Sequence, residues 1–224
     1  MKKPTPTEYR RNLPHIQPQG GMFFITFRLY GSIPISVLEK ISEAYEIENT
    51  TDISGKVIKN LKTIQQENYF IAIDEYLDSN ANDTYHLAKP EIAQLVYDSI
   101  KFRDNRDYKL VCFSIMSNHV HMLIYKLVKP LDRVMKELKS YTGKEALKLL
   151  RKEIVAPATF EKSSVASTAN SKFWQKESFD RIVRNKMDLA NKIAYTINNP
   201  VKAGLVKNWK DWKWTYCRPE FLEM

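Results

Sequence analysis

The sequence predicts an α+β fold in which a small antiparallel sheet carries helices mainly on one face. Three observations predict it. Residues 22–29, 108–116 and 119–127 are apolar runs rich in β-branched and aromatic residues, which is the composition of strands. The last two are separated only by Ser117-Asn118, so they form an antiparallel hairpin. Between and after these runs, residues 90–102, 131–152 and 186–199 repeat their apolar residues at the helical period.

The elements follow in order. Residues 1–21 are polar and contain four prolines, which predicts an extended lead-in closed by the Gly20-Gly21 turn. Residues 22–29 make a central strand. Pro34 opens a helix over 35–45 with Ile35, Leu38, Ile41 and Tyr45 as its apolar residues. Residues 47–83 read as a polar insertion holding one weakly patterned helix over 64–77. Pro90 stands at the first turn of the next helix, where its missing N–H costs nothing. Ile92, Leu95, Val96 and Ile100 line one side of it. The helix over 131–152 buries Leu131, Val134, Met135 and Leu138, and shows Lys129, Arg133 and Lys136 on another face. Residues 163–171 form a Ser-rich linker. A fourth strand-like segment runs over 173–183. Asn185 caps a helix over 186–199, with Leu189, Ile193 and Ile197 as its stripe and Pro200 as its stop. The aromatic tail at 209–216 packs on the sheet. The order β-α-β-β-α-β, over one domain spanning 1–224, is that of a ferredoxin-like sheet of four to five strands ending in a helix that carries Tyr195.

Composition bounds the partners. The net charge is +9 and the pI about 9.3, so a polyanion, most simply nucleic acid, is the expected partner. No apolar run approaches the roughly 18 residues of a membrane span, and the first residues lack the apolar core of a signal peptide. The chain is therefore expected in the cytoplasm with no membrane partner. Cys112 and Cys217 have no metal-ligand spacing and are read as reduced, packed thiols.

The chemistry concentrates at Ser117-Asn118-His119-Val120-His121. On a strand, His119 and His121 share a face and Val120, Met122 and Ile124 take the other. Two such imidazoles either divide between a turn and the core or hold one divalent cation. On the last helix Tyr195 and Asn199 stand one turn apart, with Tyr195 about 160° from the middle of the apolar stripe. A tyrosine so displayed is either ordinary surface or a nucleophile beside a metal ligand. His119, His121 and the Asn199 amide oxygen together make a mixed N/O set that suits Mg²⁺ or Mn²⁺.

An ordered set of motifs carries a family resemblance. It comprises L-P-H at 13–15 with G-G-M-F-F-I-T-F-R-L at 20–29, M-S-N-H-V-H at 116–121, and L-K-S-Y-T at 138–142. Phe173-Trp174-Gln175 through Asn185, and Tyr195 with N-N-P-V-K-A-G-L-V at 198–206, complete it. With these the chain resembles the REP-associated tyrosine transposases, within the HUH single-tyrosine superfamily. The resemblance implies a ferredoxin-like fold and metal-dependent cleavage and strand transfer on single-stranded or hairpin DNA, through a covalent 5′-phosphotyrosine. It places the nucleophile at Tyr195 and the metal ligands at His119, His121 and Asn199. Candidate DNA contacts are Arg10, Arg11, Arg28, Lys136, Lys139 and Arg184, with Trp174 and Tyr141 as base-stacking platforms. The resemblance favours a monomer over a helix-swapped dimer. Two rivals remain at this stage: a domesticated hairpin-binding protein that does not cut, and a phosphoesterase that uses water.

Overall fold

The computed structural model describes residues 7–10, 14–17, 20–45, 59–79, 84–155 and 172–223. Two compact units divide the chain: residues 1–30 with 85–224, and residues 31–84. Arg11 and the Ser-rich linker lie outside the described residues, as does most of the non-helical part of the polar insertion.

The larger unit opens with a hairpin, β1 (Thr7–Arg10) against β2 (Pro14–Gln17), where an extended lead-in was expected. Its main sheet has five strands, all paired antiparallel: β3 (Met22–Arg28), β4 (Lys109–Ile115), β5 (His119–Tyr125), β6 (Phe179–Ile182) and β7 (Thr215–Cys217). The spatial order is β6-β3-β5-β4-β7. Counting β3, β4, β5 and β6 as strands one to four, this is the 4-1-3-2 order of a ferredoxin-like sheet, extended at one edge by β7.

Alternation sorts the strands into two faces. Phe23, Ile25 and Phe27 of β3 join Phe113 and Ile115 of β4 and Val120, Met122 and Ile124 of β5 in one buried apolar cluster. That cluster is completed by α3 (Pro90–Arg103) through Ile92, Val96 and Ile100, and by α4 (Leu131–Val155) through Leu131, Val134, Met135 and Leu138. Burying an aliphatic side chain of this size is worth roughly 1.5–3 kcal/mol. The aromatic tail joins the same core: Trp214 is buried in the cluster and the Trp212 indole N–H donates to the Ile115 carbonyl at 2.9 Å.

Helix α5 (Lys186–Lys202) lies on the opposite face, against β4 and β5. Asn185 caps it as expected, its side-chain oxygen accepting from the Asp188 N–H at 2.9 Å. Leu189, Ile193 and Ile197 are its buried stripe. Pro200 does not stop the helix, which runs on to Lys202. The stop is Gly204, at φ +71°, where the Leu205 N–H returns to the Pro200 carbonyl and the Gly204 N–H to the Val201 carbonyl. This is a Schellman end, which only a residue tolerant of positive φ closes cheaply.

The expected strand over 173–183 is interrupted. Trp174 makes an isolated bridge to Leu29 and pairing resumes only at Phe179. Between them the Lys139 ammonium donates to the Lys176 carbonyl at 2.8 Å and the Ser178 hydroxyl at 3.1 Å, holding the backbone off the sheet.

In the smaller unit α1 (Ile35–Ala44) packs against α2 (Lys59–Asp78). The latter begins five residues before the predicted 64–77 helix. Its first five residues, Lys59, Asn60, Leu61, Lys62 and Thr63, hold a single apolar side chain, too little for a helical pattern to show. Among the described residues no helix is long and apolar enough to cross a membrane.

Candidate metal and nucleophile site

The face under α5 is polar where it meets β5. Thr26, His121, Ser114 and Thr215 stand opposite one another in register across β3, β5, β4 and β7. Arg28 stands opposite His119, which places it on the same face. Both imidazoles are fully buried, and their Nε2 atoms approach to 3.0 Å.

Their other nitrogens are tied back. His119 Nδ1 lies 2.7 Å from the Asn118 side-chain oxygen, and His121 Nδ1 lies 2.7 Å from the Thr26 hydroxyl oxygen. An amide oxygen only accepts, so His119 carries its proton on Nδ1 and turns the Nε2 lone pair toward His121. A threonine hydroxyl both donates and accepts. His121 therefore has two states: Nδ1–H donating to Thr26 with Nε2 bare, or Nε2–H donating to His119. In the first state two lone pairs converge, an arrangement that a cation bound between them would suit. Two nitrogens bound on adjacent octahedral positions at about 2.1 Å from a metal lie about 3.0 Å apart, which is the spacing found. Tying each ligating ring through its second nitrogen is the usual support of a metal site. The donor set therefore fits a divalent cation.

Helix α5 brings Tyr195 to this face. Its ring lies edge-on to His121 at 5.4 Å between centroids and to Phe24 at 6.0 Å, while Phe24 stacks on His121 at 5.6 Å. Tyr195 is half-buried, so it is neither sealed in the core nor ordinary surface. One turn on, Asn199 is 1% exposed, and among the described residues neither its amide oxygen nor its amide nitrogen has a hydrogen-bond partner. A buried polar group left so costs about 1–3 kcal/mol, and an amide oxygen is a donor that a hard divalent cation accepts.

The remaining sequence candidates divide. Arg28 is beside the pair. Arg184 is exposed at the start of α5, its backbone N–H donating to Asp188. Arg10 sits on β1. Lys136 is exposed on α4, whose buried side belongs to the apolar core behind the sheet, so it is not brought to the histidines. The neighbouring cations are paired locally: Glu137 takes Lys129 and also Arg133, the latter at 3.0 Å. Trp174 is buried, edge-on to Phe27, and its indole N–H donates to Thr142 at 2.9 Å, so it is a core residue and not a base platform. Tyr141 is 51% exposed.

Sequence reading missed Thr26 and Asn118. Neither has a diagnostic spacing of its own. Only the register of β3 on β5, and the turn ahead of His119, bring them to the rings.

Fold and site together define a ferredoxin-like α+β protein with a buried imidazole pair and a helix-borne tyrosine on one sheet face. Comparisons with known proteins sharpen that class. A Haemophilus influenzae protein named, provisionally, as a REP-associated tyrosine transposase is 29% identical over 108 residues, 48% of this chain and 58% of that protein. The chain thus matches little more than half of that relative's length. A solved structure of a REP-associated tyrosine transposase bound to a REP hairpin superposes with a TM-score of 0.50 at 16% identity, over 93% of this chain and 81% of that one. No protein-family model matches. The resemblance to REP-associated tyrosine transposases is therefore carried by sequence over part of the chain and by fold over nearly all of it.

Proposed function

We propose that this protein cuts and rejoins single-stranded DNA at hairpin-forming repeats, with Tyr195 as nucleophile and His119, His121 and Asn199 as the ligands of a divalent cation, Mg²⁺ or Mn²⁺. One observation carries the reading: the two Nε2 atoms converge at 3.0 Å on the face where the Tyr195 ring lies 5.4 Å from His121. The hairpin-bound relative of similar fold supports the choice of DNA, as does the net charge of +9. We read the chain as one catalytic domain carrying an insertion near 47–83, acting as a monomer.

The residues divide the work. Asn118 and Thr26 hold the two imidazoles so that their lone pairs meet. Phe24 packs against both His121 and Tyr195 and fixes the approach of the phenol. When bound, the cation polarises a phosphate oxygen and neutralises charge that develops there. Tyr195 supplies the new bond to phosphorus. Its oxygen forms the P–O bond and gives up its proton, the bond to the 3′ oxygen breaks, and that oxygen leaves as a 3′-hydroxyl after taking up a proton. One phosphodiester is exchanged for another, so a second 3′-hydroxyl can reverse the step and join strands without an energy source. Arg28, opposite His119, is a phosphate contact at the same face.

The test uses an end-labelled DNA hairpin with a single-stranded flank and Mn²⁺, read on a denaturing gel. A covalent protein–DNA band that Tyr195→Phe abolishes is expected. Cleavage without a covalent band assigns the site to water, and binding without cleavage makes the protein a hairpin binder; either result overturns the proposal.

A further inference from the structure

Helix α5 carries a second stripe beside its apolar one. Lys192, Tyr195, Asn199 and Lys202 recur at intervals of three, four and three residues, the spacing that stacks side chains on one side of a helix. The Lys192 ammonium lies 5.5 Å from the centre of the Tyr195 ring and 5.0 Å from that of Phe24. The Lys202 ammonium lies 5.9 Å from the Tyr195 ring. Two ammonium groups thus bracket the phenol, one from the turn before it and one from two turns after. They stand on the face that also holds Arg28 and the imidazole pair. Contact with a ring face is worth about 0.5–1 kcal/mol at exposed positions.

We propose that Lys192 and Lys202 clamp the phosphodiester that Tyr195 attacks, each donating to a non-bridging oxygen. This rests on the strand-cleavage reading and deepens it. The long flexible stems suit the task, because an ammonium is a movable point charge that can follow phosphorus as its bonds exchange. Lys192, half-buried against Phe24, sets the near side. Lys202, exposed at the helix end, closes the outer side once DNA is in place.

The experiment scans one uncharged methylphosphonate at a time along the single-stranded flank of a labelled hairpin, and measures binding to the wild-type chain and to Lys192→Met, Lys202→Met and the double variant. Methionine keeps the apolar stem and removes the charge. In the wild type one position is expected to weaken binding about tenfold, the size of a lost charge-assisted hydrogen bond. In the double variant the same position should matter less than twofold, and Lys→Arg at both sites should restore the sensitivity. The clamp is overturned if the double variant remains as sensitive as the wild type, if no position matters in the wild type, or if the wild type does not bind the hairpin at low salt. Binding is read without cleavage. A wild type that binds with the expected pattern but forms no covalent band therefore sinks the Tyr195 chemistry while the clamp stands.

Discussion

Strand β5 has two faces, and both are buried, yet they are built on opposite principles. Val120, Met122 and Ile124 go into a closed apolar core, where every contact is satisfied by packing. His119 and His121 go under α5, where burial is combined with imidazoles, a hydroxyl row and an amide whose atoms have no partner among the described residues. Burying polar groups costs stability unless each is matched. One face thus gains stability from burial and the other gives some up. The difference teaches where to expect function on a sheet whose two sides are equally hidden from solvent.

The largest effect that can break the comparison is on activity. Tyr195→Phe removes one oxygen and leaves the ring contacts with His121 and Phe24. We expect loss of the covalent adduct by at least about 10³-fold with thermal stability within about 0.5 kcal/mol of the wild type. Met122→Ala on the same strand as the histidines should do the reverse: about 2–5 kcal/mol of destabilisation, with adduct formation retained wherever the variant is folded. If Met122→Ala abolishes the adduct while folded, or Tyr195→Phe unfolds the chain, the two faces are not separable. Removing metal with EDTA belongs with the first class: adduct formation should vanish and return with Mn²⁺.

A smaller effect sharpens the comparison inside the polar face. Thr26→Val and Asn118→Ala each remove the partner of one Nδ1 atom while leaving both Nε2 atoms in the chain. Loss of such support weakens metal affinity by about 10–100-fold. Mn²⁺ binding followed by calorimetry or electron paramagnetic resonance reads this without any DNA. Unchanged affinity in both variants would mean that the rings are set by packing against Phe24 and not by their hydrogen bonds.

The cysteines extend the contrast to β4 and β7. Cys112 and Cys217 stand opposite each other in register as free thiols. Burial pushes the Cys112 thiol well above its ordinary pKa, and its contact with Cys217 pushes it the same way. Desolvation disfavours the thiolate, and the thiolate is the species that reacts. Cys112 should therefore resist alkylation by iodoacetamide at pH 8 in the native chain and react only on unfolding. Labelling of native Cys112 at the rate of a free thiol, located by mass spectrometry, would show that α5 lifts from the sheet.

How much of this was legible in the sequence follows the same division. The apolar face was readable because period two in the strands and the helical period in α3 and α4 are dictated by burial itself. The histidines, Tyr195 and Asn199 could be proposed because residue type and spacing restrict what such groups do together. The β1–β2 hairpin was not readable, since Thr7–Arg10 and Pro14–Gln17 are short and largely polar runs in which no apolar alternation shows. Thr26 and Asn118 were hidden because ordinary residues acquire their role only through register. Trp174 misled because an aromatic in a polar segment looks like a platform until its indole is found bonded to Thr142. Pro200 misled because in the last turn its missing N–H costs one intrahelical bond without breaking the helix, whose true end is the Gly204 cap.

The smallest effect is the sharpest in sign. Asn199→Leu replaces a buried amide by an apolar side chain of similar size. If the amide is held for an ion, its removal relieves a desolvation cost of about 1–3 kcal/mol in the metal-free chain. Less than that should appear, because leucine must still find room, so we expect a gain of about 0.5–1 kcal/mol. In saturating Mn²⁺ the order should invert: the wild type gains stability by binding the ion and the variant gains less. Thermal denaturation with and without Mn²⁺ measures both. A variant less stable than the wild type in EDTA would show that Asn199 is a structural residue of the α5 packing. In that case the polar face follows the same rule as the apolar one, and the contrast between the two sides of β5 would no longer locate the site.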